Sequence, residues 1–151
     1  MKRPAFLSAA AMSGTPKFVA SVLDFAPIRF FARLLLVSAY LVGGLAKLTD
    51  WPGAVAEQAH FGLTPPALWA GLTIAVELVG PLLVLSNRLV WLGAGMLGVF
   101  TFFAALVANA FWAMPAGPER FAATNAFFEH MALVGGFVLV AILARKEKTV
   151  A

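Results

Sequence analysis

Cysteine is absent from this chain of 151 residues, tyrosine occurs once and histidine twice, and charged residues make up only 12%. Each shortage closes off a class of function. Without cysteine there is no disulfide, no thiolate nucleophile, no iron–sulfur cluster and no Cys-ligated zinc. A soluble domain carries about 25% charged residues, so the ionic side chains here are too few to cover a water-facing enzyme. Basic runs are missing as well. The net charge of +4 and the pI of about 10.0 therefore do not describe a nucleic-acid-binding stripe. What the chain has in plenty is apolar: 62% hydrophobic residues, fourteen Phe, four Trp and a mean hydropathy of +0.90. This is the composition of a small integral membrane protein.

A spanning helix needs about 20 mostly apolar residues, and four stretches qualify, at about 30–48, 66–85, 89–112 and 126–144. The expected fold is all-α, an integral membrane four-helix bundle. Asp50-Trp51-Pro52-Gly53 closes the first span, and Thr64-Pro65-Pro66 starts the second with prolines where a helix tolerates them. Ser86-Asn87-Arg88 is a tight turn, Met114 to Pro118 ends the third span, and Thr124-Asn125 offers N-caps to the fourth. Basic residues set the orientation. Lys2, Arg3, Lys17, Arg29, Arg33, Arg88, Arg145, Lys146 and Lys148 fall on one side. The other side has Lys47 and Arg120 against Asp50, Glu57 and Glu119. Both termini are expected in the cytoplasm. Residues 1–28 read as a cytoplasmic tail, 29–145 as one membrane domain and 146–151 as a second tail. Met1 to Met12 faintly imitates a signal peptide, and Phe18, Val19, Val22 and Phe25 suit a short interfacial helix ahead of Pro27.

Two motifs suggest cofactors that their context does not favour. Gly93-Ala94-Gly95-Met96-Leu97-Gly98 has the G-x-G-x-x-G spacing of a dinucleotide site, but no strand precedes it. Small residues for close helix packing explain it better, as they do Gly43-Gly44 and Gly135-Gly136. His60 sits in a loop and His130 just inside the fourth span, so a shared haem or metal would need the loop to fold back. No metal site is expected.

The informative residues are the polar ones within the spans, each costing about 2.5–3.5 kcal/mol when charged at mid-helix. Glu77 lies deep in the second span. Arg33, Val37, Tyr40, Gly44 and Lys47 share one face of the first helix, and Trp69, Thr73, Glu77 and Gly80 share one face of the second. At 1.5 Å per residue, Lys47 and Asn109 lie about 5 Å from the outer end, His130 about 6 Å, Tyr40 about 12 Å, Glu77 and Thr101 about 16 Å and Arg33 about 22 Å. The set forms an outer tier (Lys47, Asn109, His130) and a middle tier (Tyr40, Glu77, Thr101). Two uses compete: interhelical glue, with Glu77 neutralised by Arg33 or bonded by Tyr40, or a proton or small-molecule site. Arg33 by itself reads as an anchor at the cytoplasmic headgroups, and Lys47 suits snorkelling outward.

These residues resemble the DoxX family. Arg33 followed by Gly43-Gly44-Leu45-Ala46-Lys47-Leu48 is similar to its opening signature, and Phe61 to Pro66 to its approach to the second helix. Glu77-Leu78-Val79-Gly80 resembles its acidic residue with a following glycine. Leu133-Val134-Gly135-Gly136 resembles its stretch in the fourth helix. The likeness covers about residues 29–145. Pro81 departs from it, standing where a second glycine is common, and should loosen the second helix below Glu77. Glu129-His130 stands where many members carry Lys-Asn.

The resemblance implies a four-helix protein of the bacterial inner membrane. It also implies a link to redox physiology, through relatives associated with quinone-linked oxidation of reduced sulfur compounds and others linked to oxidative-stress complexes. The leading expectation is an accessory membrane subunit or quinone-associated partner rather than a stand-alone enzyme. Quinone is the candidate cofactor, with Tyr40, Lys47, Asn109 and His130 facing its carbonyls and Glu77 or His130 exchanging its protons. Expected partners are the lipid bilayer, a membrane or soluble redox protein, and further copies of the chain; nucleic acid is not among them. A small proton-responsive transporter, which would need an oligomer, and a structural partner without chemistry are the alternatives.

Overall fold

The computed structural model describes residues 14–150, with side chains through Arg145. The signal-like segment Met1 to Met12 lies outside the described residues, as does Ala151. The described residues form six α-helices and a short 3₁₀ turn: α1 (Lys17–Asp24), α2 (Ala26–Thr49), α3 (Trp51–His60), α4 (Pro66–Leu85), α5 (Val90–Ala108), the turn Phe111–Ala113, and α6 (Pro118–Val150). Among the described residues there is no strand. Four segments of the described residues are long and apolar enough to cross a membrane: α2, α4, α5 with the following turn, and α6 to Arg145. The protein is an all-α membrane protein in contact with the bilayer.

Local chemistry places the breaks. Phe25 is extended and separates α1, which buries nothing, from α2; Pro27 then falls in the first turn of α2, where its missing N–H costs nothing. Asp50 ends α2 and starts α3, its Oδ1 accepting the Gly53 N–H at 3.1 Å, and any side chain at Gly53 would collide with that carboxylate. Helix α3 ends in a Schellman motif. Gly62 adopts φ +72°, Leu63 N–H donates to the Gln58 carbonyl, and Gly62 N–H donates to that of Ala59, both at 3.0 Å. Helix α4 runs on through Pro81. Asn87, at φ 58°, makes the turn into α5.

Helix α3 and the early start of α6 are the departures from hydropathy. Helix α3 is a short helix within the segment 49–65, docked by Ala54 on Ala70 and Ile74 of α4. Helix α6 begins at Pro118 because residues 118–125 are helical as well. Thr124 donates to the Arg120 carbonyl at 2.7 Å inside the helix and does not cap it.

The helices follow one another around the bundle, and α4 and α5 form its centre. Of the most apolar stretch of each, 39% and 33% of residues are buried, against 17% for α2 and 6% for α6, whose outer faces meet lipid. Apolar burial gives helices little reason to associate inside lipid, so close backbone approach must do so. A Cβ at Gly80 would lie 2.7 Å from Leu97, and one at Gly93 would lie 2.6 Å from the Gly80 carbonyl. The glycines of the dinucleotide-like motif thus divide, with Gly93 seating α5 on α4. The core where all four spans meet holds Val37, Tyr40, Val84, Ala94, Leu97 and Phe137.

Candidate functional site

Helix α2 buries Val37, Tyr40 and Gly44 along one face, and every polar contact of interest starts from that face. Gly44 lets α2 approach α4. A Cβ there would stand 2.8 Å from Leu78 and 3.0 Å from the Glu77 Cβ. A Cβ at Gly43 would face both Glu77 oxygens at 3.5 Å, so this glycine leaves room for the carboxylate. One turn further on, Lys47 reaches it: Nζ donates to Oε1 at 3.2 Å and Oε2 at 3.3 Å. Helical side chains lean toward their own N-terminus. In antiparallel α2 and α4, Lys47 therefore leans into the bundle and Glu77 leans up to meet it.

The same ammonium stands 3.7 Å from Glu57 Oε2 on α3. The Glu77 side chain is 8% exposed, that of Lys47 17% and that of Glu57 45%. One cation thus serves two carboxylates, one inside and one at the edge. Thr73, one turn before Glu77, and Gln58, next to Glu57, are also buried. Pro81 has no N–H to offer the Glu77 backbone carbonyl, so residue 77 also interrupts the hydrogen-bond ladder of its helix.

A second polar contact lies deeper and is neutral. Thr101 donates to the Leu97 carbonyl of its own helix at 2.6 Å and lies 2.5 Å from the Tyr40 hydroxyl. Its single proton is spent on the carbonyl, so Tyr40 donates to Thr101. Phe137 and Phe100 pack edge-on against the Tyr40 ring at 5.5 and 6.4 Å.

The remaining candidates lie elsewhere. Arg33 does not reach Glu77; its Nη1 donates at 2.7 Å to Asn87 Oδ1, tying α2 to the α4–α5 turn at the opposite end of the bundle. His130 is about 18 Å along α6 from its start, more than three turns in, because that helix begins at Pro118. Its Nδ1 lies 2.6 Å from the Ala126 carbonyl, which can only accept, so Nδ1 carries a proton. Asn109 ends α5. Among the described residues, no three His, Cys, Asp or Glu could hold a metal together.

Quinone carbonyls need donors that converge on one space. Here Tyr40 points at Thr101, Lys47 at Glu77 and His130 Nδ1 at Ala126, three separate protein acceptors. Glu57 was not among the candidates from sequence. Asp50 followed by Pro52 is its signal, because a helix starting there sets Ala54 and Gln58 against α4 and brings Glu57 round beside Lys47.

Fold and site define a four-span membrane protein whose first two spans are joined by a part-buried ion pair. The DoxX family model matches residues 28–110, more than half of the chain, and the chain belongs to the DoxX family. The match runs from the start of α2 to the end of α5, so α6 with Gly135-Gly136 lies beyond it. No curated protein and no solved structure matches the chain.

Proposed function

We propose that this protein is an accessory membrane subunit of a quinone-linked oxidoreductase system in the bacterial inner membrane. Its termini face the cytoplasm, and Lys47, Glu77 and Glu57 are its proton-responsive centre. One observation carries the reading: a single ammonium is shared by a buried and a half-exposed carboxylate. With both carboxylates ionised, the cluster holds one negative charge in excess. A proton taken by either one leaves the other paired with the lysine, so the site absorbs protonation without stranding a buried charge. The proton's location decides whether Lys47 holds α2 to α4 or to α3. Reducing a quinone consumes protons, and a helix contact that answers to protons suits a subunit beside such chemistry. Quinone itself is assigned to the partner, because Tyr40, Lys47 and His130 Nδ1 are each directed at an acceptor within this chain.

The test has two parts. With the full chain in nanodiscs, spin-label distances between α2 and α3 and between α2 and α4 are followed as pH falls. The α2–α3 contact should tighten at the expense of α2–α4, and Glu77→Gln should hold that second arrangement at every pH. In bacterial membranes, quinone reduction by a reduced-sulfur donor should fall when the chain is deleted and return with wild type but not with Glu77→Gln. A rate indifferent to the chain would refute the accessory role.

A proton-responsive permeation subunit is the second reading. It is favoured by the recurrence of polar contacts along one face of α2, at Lys47, Tyr40 and Arg33, from end to end of the bundle. It requires pH-dependent solute flux in proteoliposomes that Glu77→Gln abolishes.

A further inference from the structure

Helix α1 lacks the means to stand alone in water. It has eight residues and buries none of them, and an isolated helix shorter than about 12–15 residues is marginal in water. No side chain caps its N-terminus. Its two charges oppose the helix dipole, with Lys17 at the positive end and Asp24 at the negative one. The two sides of the helix differ. Lys17, Ser21 and Asp24, spaced by four and three, form one narrow polar stripe, and the Ser21 hydroxyl donates to the Lys17 carbonyl at 3.0 Å. The rest of the surface carries Phe18, Val19, Val22 and Leu23, all exposed, with Phe18 at 79%.

We infer that α1 lies in the plane of the membrane interface, with its apolar face seated in the acyl boundary of the leaflet where α2 begins. Continuity with the lipid-facing surface of α2 identifies the occupant. A single residue, Phe25, separates α1 from the spanning segment Ala26–Thr49, and Ile28, Phe30 and Phe31 at the start of that segment are exposed too. One residue reaches less than about 4 Å, so the end of α1 is held at the bilayer surface. Phe25 is extended, with φ −69° and ψ 117°, so α1 breaks from the axis of α2 and does not prolong it. At about 12 Å, α1 is too short to cross about 30 Å of hydrocarbon. A helix lying in the interface sinks its apolar face only about 5–10 Å. Lys17 and Asp24 cancel, so the seating rests on apolar insertion and not on attraction to anionic headgroups.

The chain has no cysteine, so the single replacements Phe18→Cys, Ser21→Cys and Val22→Cys each carry a nitroxide at one place only. The full chain is placed in nanodiscs of dioleoyl phosphatidylcholine, and each label is relaxed in turn by oxygen and by a water-soluble nickel chelate. Labels at 18 and 22 should be relaxed by oxygen and shielded from nickel, and the label at 21 should show the reverse. Adding dioleoyl phosphatidylglycerol should leave that contrast unchanged. Equal access of nickel to all three positions would overturn the inference, as would a contrast that appears only with phosphatidylglycerol. Shielding of 18 and 22 from both reagents would overturn it as well, because protein and not lipid would then cover the face.

Discussion

Two polar contacts leave the same face of α2 and behave as opposites. Lys47–Glu77 is charged and continues through Glu57 to the edge of the bundle; Tyr40–Thr101 is neutral and ends on the Leu97 carbonyl inside it. Both join α2 to a neighbouring span. The hydroxyl chain does so at little cost, because each proton has an acceptor and no charge is desolvated. The ion pair requires two charges to leave water, and its attraction offsets that penalty only while both partners remain. Helix register alone is served by the cheaper contact. The costlier one is therefore where function should be sought.

Removing one partner of the pair tests this most severely. Lys47→Met strands Glu77 and should cost about 3–5 kcal/mol in unfolding from mixed micelles. The double variant Lys47→Met/Glu77→Met should recover most of that loss while abolishing the pH-driven exchange between α3 and α4. If the double variant stays as unstable as the single one, the pair is structural and the contrast with Tyr40–Thr101 collapses.

Next in size is the approach that brings the pair together. Gly44→Ala places a Cβ 2.8 Å from Leu78, so α2 and α4 must separate by tenths of an ångström. A loss of about 1–3 kcal/mol is expected. Gly43→Ala meets the Glu77 oxygens only at 3.5 Å and should be much milder. Thermal unfolding of the two variants side by side checks the order. The neutral contact follows. Thr101→Val leaves the Tyr40 hydroxyl buried without its acceptor and should cost about 1–3 kcal/mol. Tyr40→Phe removes the donor instead and should cost about 0.6 kcal/mol, the usual value for a hydrogen bond between spans.

Sequence made the spans, and the polar faces of α2 and α4, legible. Long apolar runs and three- and four-residue spacings report directly on helices in lipid. It did not bring Lys47 to Glu77. Depth counted along the helix axes separates them by about 11 Å, whereas their side chains lean toward each other from antiparallel helices and meet. Helix α3 was hidden for a different reason: ten residues with little apolar character leave no hydropathy signal, and only the Asp50 cap and Pro52 betray it. Arg33 was readable as an anchor, but its Asn87 partner depends on how the α4–α5 turn folds back.

The smallest effect sharpens the comparison most. Glu57 is the exposed arm of the charged contact, and nothing equivalent extends the neutral one outward. Glu57→Gln should change stability by less than about 1 kcal/mol, as for any pair open to water. It should nonetheless remove the alternative partner of Lys47, so α2 stays on α4 until that contact breaks outright. The spin-label titration would then lose the α2–α3 approach on acidification while Tyr40–Thr101 and the fold persist. A variant that keeps that approach would show that Glu57 is a bystander and that the two contacts of α2 differ in charge alone.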